Sequence, residues 1–179
     1  TTPGSMMTTL GIAIGNTLEA LLGAYLVPRF ASGAAVFERV SDIFKLAVLA
    51  GIGSTTVSAT IGVASLASTG YARWGDAGSI WLTWWLGDAS GILLVTPLIV
   101  LWARRRSEPA RLRDPLEGPA LLAAVLATGV LVFGGVLPEE LRRLPTTFVT
   151  LPPLLWAAYR FGARTTSTAL VMLSALAVA

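Results

Sequence analysis

Two carboxylates, Glu19 and Asp88, lie inside long apolar runs, and they are the side chains best suited to chemistry there. Glu19 stands in TTLGIAIGNTLEALLGAYLV and Asp88 in WLTWWLGDASGILLVTP. An ionised carboxylate at membrane depth costs at least ~2.5 kcal/mol, so such residues face the interior of a helix bundle. By default they indicate a binding or proton-responsive centre.

Amide and hydroxyl side chains lie at similar depth to the two carboxylates. With a helical rise of about 1.5 Å per residue, these groups fall in a layer about 10 Å thick near the membrane midplane. They predict a proton-, cation- or ligand-responsive centre. The alternative is that the same groups only join helices by hydrogen bonds. The residues predicted for this centre are Asn16, Glu19, Thr56, Ser58, Thr60 and Asp88.

Three tryptophans, Trp81, Trp84 and Trp85, precede Asp88 at the outer end of its apolar segment. Indole rings with a polar edge suit the membrane interface, and this is one interpretation of the group. The other rests on helical spacing, because residues three and four apart share a face. On that interpretation the indoles wall a pocket that opens outward above Asp88.

Small residues recur at four-residue spacing around both carboxylates. This pattern lets neighbouring helices approach closely in a membrane. The predicted helix-packing residues are Gly11, Gly15, Gly23, Gly87 and Gly91.

The composition predicts an integral membrane protein with an all-α, polytopic transmembrane helix bundle. Hydrophobic residues make up 54% of the chain, charged residues 13%, and the mean hydropathy is +0.72. A soluble domain carries about a quarter charged residues. The chain has neither cysteine nor histidine, which excludes disulfides, thiolate catalysis and imidazole ligands. Without a phosphate-binding loop, a nucleophile elbow or metal-ligand spacing, we predict no enzyme activity and no cofactor.

Apolar segments of about 20 residues predict the helices, and residues 1–179 are interpreted as one transmembrane domain. Pro28 and Arg29 are expected to end the first helix, after which a short amphipathic piece begins near Ala35. The pair Pro152 and Pro153 is expected to break the fifth helix or to make it re-entrant, beside a cavity. Both chain ends read as the edges of a larger polypeptide. The six predicted helices cover roughly 8–27, 44–68, 79–102, 118–136, 147–161 and 163–179.

The basic residues indicate membrane topology rather than nucleic-acid binding. The connector between the two halves, 103–117, carries five arginines against two acidic residues before Glu117. Cytoplasmic loops carry such an excess, so we expect the connector to face the cytoplasm. The same assignment places Arg29, Lys45 and Arg160 on the cytoplasmic side. It predicts a multi-pass membrane protein whose connector faces the cytoplasm.

Four blocks carry a family resemblance. In chain order they are AIGNTLEALLGAYLV, FERVSDIFKL with SATIGVASL, WLTWWLGDASGILLVTPLIVLW, and PLLWAAYRFGAR. Their order and spacing resemble the bacterial membrane-associated sensor domain of the first MASE type. The resemblance implies an inner-membrane sensory module of about eight helices, here without its first helices. The family positions it implies are Asn16, Glu19, Trp84, Trp85, Gly87, Asp88, Pro97 and Arg160.

The resemblance also implies a function. Domains of this type precede cytoplasmic histidine kinase, diguanylate cyclase or phosphodiesterase domains, which implies a role in signal input. The residues alone leave two alternatives: an accessory subunit packed in a larger membrane complex, and a small transporter or ion-pathway protein. The expected partners are the lipid bilayer, an unknown small ligand, and a membrane protein or a second copy of the chain, with no nucleic acid.

Overall fold

The computed structural model describes residues 5–103, 116–138 and 145–178, and within these ranges the regular structure is helical throughout. The predicted all-α fold is confirmed. The α-helices are α1 Met6–Phe30, α2 Val40–Leu46, α3 Thr55–Ser68, α4 Ala77–Ala103, α5 Glu117–Phe133, α6 Leu151–Arg160 and α7 Ala163–Val178.

A π-helical segment, Ala47–Ser54, joins α2 to α3, so the two form one continuous rod from Val40 to Ser68. The described residues therefore contain six helical rods, the number expected from the sequence. Three stretches are long and apolar enough to cross a membrane: Met6–Phe30, Val40–Ser68 and Trp74–Ala103. The helices α5 and α7 are apolar but shorter.

The prolines act differently from the prediction. Helix α1 continues through Pro28 to Phe30, because Pro28 lies in the last turn and the Ala31 N–H still bonds to the Val27 carbonyl at 2.9 Å. Pro152 and Pro153 do not break a helix, since α6 begins at Leu151 and they occupy its first turn. In that turn the N–H groups have no intrahelical partner, so a proline loses nothing there.

The chain divides into two compact units, residues 1–93 and 94–179. The division falls inside α4 rather than at the predicted connector. Most of that connector, 104–115, lies outside the described residues, and the single domain proposed for 1–179 stays a prediction.

In the first unit, α3 is the central helix. Its small side chains Ala59, Val63 and Ala67 are buried, whereas α1 and α4 expose most of their surface. Helix α1 begins where the Ser5 hydroxyl accepts the Thr8 N–H at 3.1 Å, an N-cap. The Thr8 hydroxyl lies 2.7 Å from that of Thr69, which ties the start of α1 to the end of α3. The two helices are therefore antiparallel.

The second unit has its own apolar core. It is formed by side chains of α5, α6 and α7 that are less than one-tenth exposed. Gly129 of α5 allows Leu173 and Leu176 of α7 to approach closely, since a Cβ at that position would meet both side chains. The core residues are Leu121, Val125, Ala157, Ala169 and Leu173.

Candidate functional site

Four polar side chains from three helices of the first unit meet at Ser58, which is fully buried on α3. The Ser58 hydroxyl donates to Asp88 Oδ2 of α4 at 2.8 Å and lies 3.0 Å from Asn16 Oδ1 of α1. The Glu19 carboxyl of α1 lies beside the Ser58 hydroxyl and the Asp88 carboxyl. We call Asn16, Glu19, Ser58 and Asp88 the carboxyl cluster.

The carboxyl cluster is only partly enclosed. Asn16 is exposed, and Glu19 and Asp88 are half-buried. A serine hydroxyl carries one hydrogen, so Ser58 donates to one acceptor at a time. Two carboxyl groups can hydrogen-bond to each other only when one of them holds a proton. The arrangement is therefore chemically able to hold a proton or to exchange it for a small donor or cation.

Glycines of α1 bring Asn16 and Glu19 close to α3. A Cβ at Gly11 would overlap the side chain of Ser65. A Cβ at Gly15 would lie 3.2 Å from Ile61 Cβ and 3.3 Å from the Ser58 carbonyl oxygen. Gly23 faces Ser54 in the same manner at 3.5 Å. These three glycines thus lie along the contact between α1 and the rod from Val40 to Ser68.

Tryptophans, rather than glycines, hold α4 against the rod from Val40 to Ser68. The Trp81 Nε1–H donates to the Thr60 hydroxyl at 3.0 Å, and the Trp85 Nε1–H donates to the Ile52 carbonyl at 3.2 Å. The two indoles are stacked, with centroids 5.8 Å apart and planes within 10°. The Trp84 ring covers Gly62, where a Cβ would lie 2.7 Å from it.

The sequence model of the MASE1 family matches residues 2–179, essentially the whole chain. The chain belongs to the MASE1 family. MASE1 domains are membrane-associated sensor domains, so the resemblance drawn from the four sequence blocks is confirmed, as is a membrane location. A sensory domain is not catalytic, which agrees with the expectation of no enzyme activity. No curated protein and no solved structure is significantly similar to the chain.

Other predicted positions of this MASE1 domain lie apart from the carboxyl cluster. The Thr56 hydroxyl donates to the Ile52 carbonyl at 2.8 Å, and the Thr60 hydroxyl donates to the Thr56 carbonyl at 2.6 Å. Hydroxyls on a helix often bond to the carbonyl four residues earlier in this way. Neither threonine reaches Asp88, so of the predicted hydroxyls only Ser58 joins the carboxyl cluster.

The three tryptophans face the rod from Val40 to Ser68, and the pocket expected above Asp88 stays a prediction. Trp84 lines a shallow groove with Ser79, Ile80 and Thr83, on the outer part of α4. Trp81 and Trp85 turn toward the rod from Val40 to Ser68, where their N–H groups find acceptors. Buried or half-buried indoles usually have a partner for their N–H group, which explains why these two rings face the rod.

Gly87 and Gly91 do not form the predicted packing face. Among the described residues, no atom lies within 4 Å of the position that a Cβ would take at either glycine. The large indole rings of α4 lie between its backbone and α3. The two glycines of α4 therefore have no described helix packed closely against them.

The π-helical segment Ala47–Ser54 is a feature that the sequence analysis missed. Such segments are rare and occur often at functional sites. Its Ile52 carbonyl accepts hydrogen bonds from the side chains of Thr55, Thr56 and Trp85. The segment ends one turn before Ser58. Its sequence signal is the run AGIGSTT, in which glycines precede hydroxyl residues that bond back to the helix.

Arg160, which the sequence analysis also singled out, lies in the second unit. It donates from Nε to Glu117 Oε2 at 2.9 Å and from Nη2 to Glu117 Oε1 at 2.7 Å, a bidentate ion pair between α6 and α5. The Glu117 carboxylate raises the pKa of the Arg160 guanidinium above its ordinary value. Arg160 therefore stays charged at any pH at which the protein folds. In the described part of the chain, no three acidic residues come close enough to hold a metal ion.

Proposed function

We propose that this MASE1 domain is a signal-input domain whose carboxyl cluster responds to a proton or a small ligand. It would regulate a cytoplasmic histidine kinase or a cyclic-di-GMP output domain. The observation that carries the proposal is that Glu19 and Asp88, two carboxyl groups on different helices, lie side by side at the buried Ser58, whose hydroxyl donates to Asp88. A pair of carboxyls at membrane depth is costly and is a functional hypothesis by default.

The chemistry supplies a two-state element. When the pair holds one proton, the hydrogen bond between Glu19 and Asp88 draws α1 and α4 together on α3. When the proton leaves, two like charges repel each other across the same contact. A stimulus that binds one arrangement more tightly shifts the equilibrium between them. A cation or a hydrogen-bond donor replaces the proton in the same position.

The basic residues support an orientation in the bacterial cytoplasmic membrane. The connector 103–117 would face the cytoplasm because its arginines outnumber its acids. The ends of α1 and α2 that carry Arg29 and Lys45 would lie on that side too. Helix ends on that side would carry the change to an output domain.

Infrared difference spectroscopy tests whether the carboxyl cluster holds a titratable proton. The chain is reconstituted in lipid vesicles and its pH is stepped while the carbonyl band of protonated carboxyl groups is recorded. We expect a band that disappears in Asp88→Asn and in Glu19→Gln, because each change removes one half of the pair. The amides keep the shape and the hydrogen bonding of the acids, so the fold is retained.

Asp76→Asn is the matched control, since Asp76 is exposed in the connection before α4 and lies outside the carboxyl cluster. Its spectrum should equal that of the unchanged chain. A band that survives both Asp88→Asn and Glu19→Gln would contradict the proposal and leave the cluster as a helix contact only.

A further inference from the structure

A separate feature lies where α1 ends and α2 begins. There an apolar groove of about 510 Å³ is lined by Phe30, Phe44, Lys45, Val48 and Leu49. Phe30, Phe44 and Val48 are each more than half exposed. The groove belongs to two stretches that are long enough to cross a membrane, and it lies at their polar ends. Its occupant therefore meets an apolar wall on one side and the membrane surface on the other.

The rim of the groove is positively charged and its lysine is fixed in place. Asp42 is buried and accepts from Lys45 Nζ at 2.8 Å and from the Ser32 hydroxyl at 2.7 Å. An ammonium group has three donors, and Asp42 takes one of them. Half of the Lys45 side chain is exposed, so its remaining donors are available at the rim.

Arg29 supplies a second cation at this rim. Its guanidinium lies 5.9 Å from the centroid of the Phe30 ring, which lines the groove. Arg29 is exposed and forms no ion pair with any residue in the described ranges. Two cations thus flank an apolar channel at the end of membrane-spanning helices.

We propose that this groove binds an anionic phospholipid, with its phosphate between Arg29 and Lys45 and an acyl chain along Phe44, Val48 and Leu49. Basic pockets between membrane helices bind anionic headgroups in this way. Arginine and lysine extend apolar stems over such a surface while their charged ends stay at the interface. The occupant is a lipid rather than a peptide, because the wall consists of exposed apolar side chains on the stretch Val40–Ser68, which is long and apolar enough to cross a membrane.

Native mass spectrometry of the full chain tests the proposal, with phosphatidylglycerol and phosphatidylcholine of identical acyl chains as the probes. We expect phosphatidylglycerol to be retained preferentially. Arg29→Gln should weaken its retention about fivefold, the effect of one cation near an anionic headgroup. This variant leaves the Asp42–Lys45 pair intact, so the fold at the junction is preserved.

Arg73→Gln is the matched control, because Arg73 is an exposed arginine in the connection between α3 and α4. It should retain phosphatidylglycerol as the unchanged chain does. Equal retention of the two lipids, or an equal loss in Arg29→Gln and Arg73→Gln, would overturn the proposal. So would a dimer that excludes lipid from the groove and separates on Phe44→Ser, since a second copy would then be the occupant.

Discussion

Ser58 is the residue on which the carboxyl cluster depends. It is the only member on α3, and it contacts Asn16, Glu19 and Asp88, whose side chains come from helices on either side. Ser58 is fully buried, so water does not easily take the place of its hydroxyl. Removal of that one oxygen leaves Asn16 and Asp88 without their shared partner.

Ser58→Ala should destabilise the chain by about 1 kcal/mol, the net contribution of a typical hydrogen bond, because its partners are half-buried or exposed and water can reach them. Thermal unfolding followed by circular dichroism in detergent measures this change. Ser68→Ala is the matched control on the same helix, because Ser68 is exposed and bonds only to the Ser65 carbonyl. Exposed changes of this kind stay within about 0.5 kcal/mol of zero. Equal effects for the two alanines would show that the cluster contributes nothing to stability.

At the scale of elements, α1 and α4 reach α3 by different means. Helix α1 uses glycines, so its backbone lies close to the neighbouring helix at Gly15. Helix α4 uses the rings of Trp81, Trp84 and Trp85, so its backbone stays farther away. The acids on the two helices are still close to each other. The Asp88 side chain extends to Ser58, whereas Glu19 lies near α3 because the α1 backbone is close to that helix.

Gly15→Leu should therefore lower the stability of the fold more than Gly87→Leu does. The new side chain at Gly15 would meet Ile61 and the Ser58 carbonyl, and a backbone atom has little freedom to move. Overpacking of this kind costs about 1–3 kcal/mol. At Gly87 no described atom lies near, and leucine favours the helix over glycine by roughly 1 kcal/mol. Thermal unfolding of the two variants decides this, and a Gly87 variant as unstable as the Gly15 variant would refute the argument.

The sequence located the two acids of the site and its one hydroxyl, Ser58, but assigned two further hydroxyls to it. Glu19 and Asp88 are identifiable because a carboxylate in an apolar run requires an interior partner. Thr56 and Thr60 were assigned to the same site, but each bonds to its own helix instead. The face that each hydroxyl takes depends on helix rotation, and the π-helical segment Ala47–Ser54 changes that rotation just before them.

The sequence likewise does not predict which groups the tryptophan N–H groups bond to. Spacing placed Trp81 and Trp85 on the face of Asp88, but an indole N–H bonds to whichever acceptor the neighbouring helix offers. Here the acceptors are the Thr60 hydroxyl and the Ile52 carbonyl. The second of these is a carbonyl of the π-helical segment, which composition and period did not reveal.

At the scale of the whole molecule, six helical rods and the all-α fold followed directly from the apolar segments. Helix ends were less accurate, because Pro28 and Pro152 fit a last turn and a first turn respectively. The division into two compact units inside α4 had no signal in the sequence, since α4 is one uninterrupted apolar helix. Arg160 falls in the second unit, where Glu117 rather than a carboxyl of the first unit is its partner.

We propose that the carboxyl pair controls signal output. The native polypeptide in proteoliposomes tests this most directly. The output that we propose, kinase autophosphorylation or cyclic-di-GMP turnover, is measured as the external pH is stepped. We expect the output to depend on pH. This dependence should be absent in Asp88→Asn and Glu19→Gln and unchanged in Asp76→Asn. An identical pH response in all four proteins would contradict it.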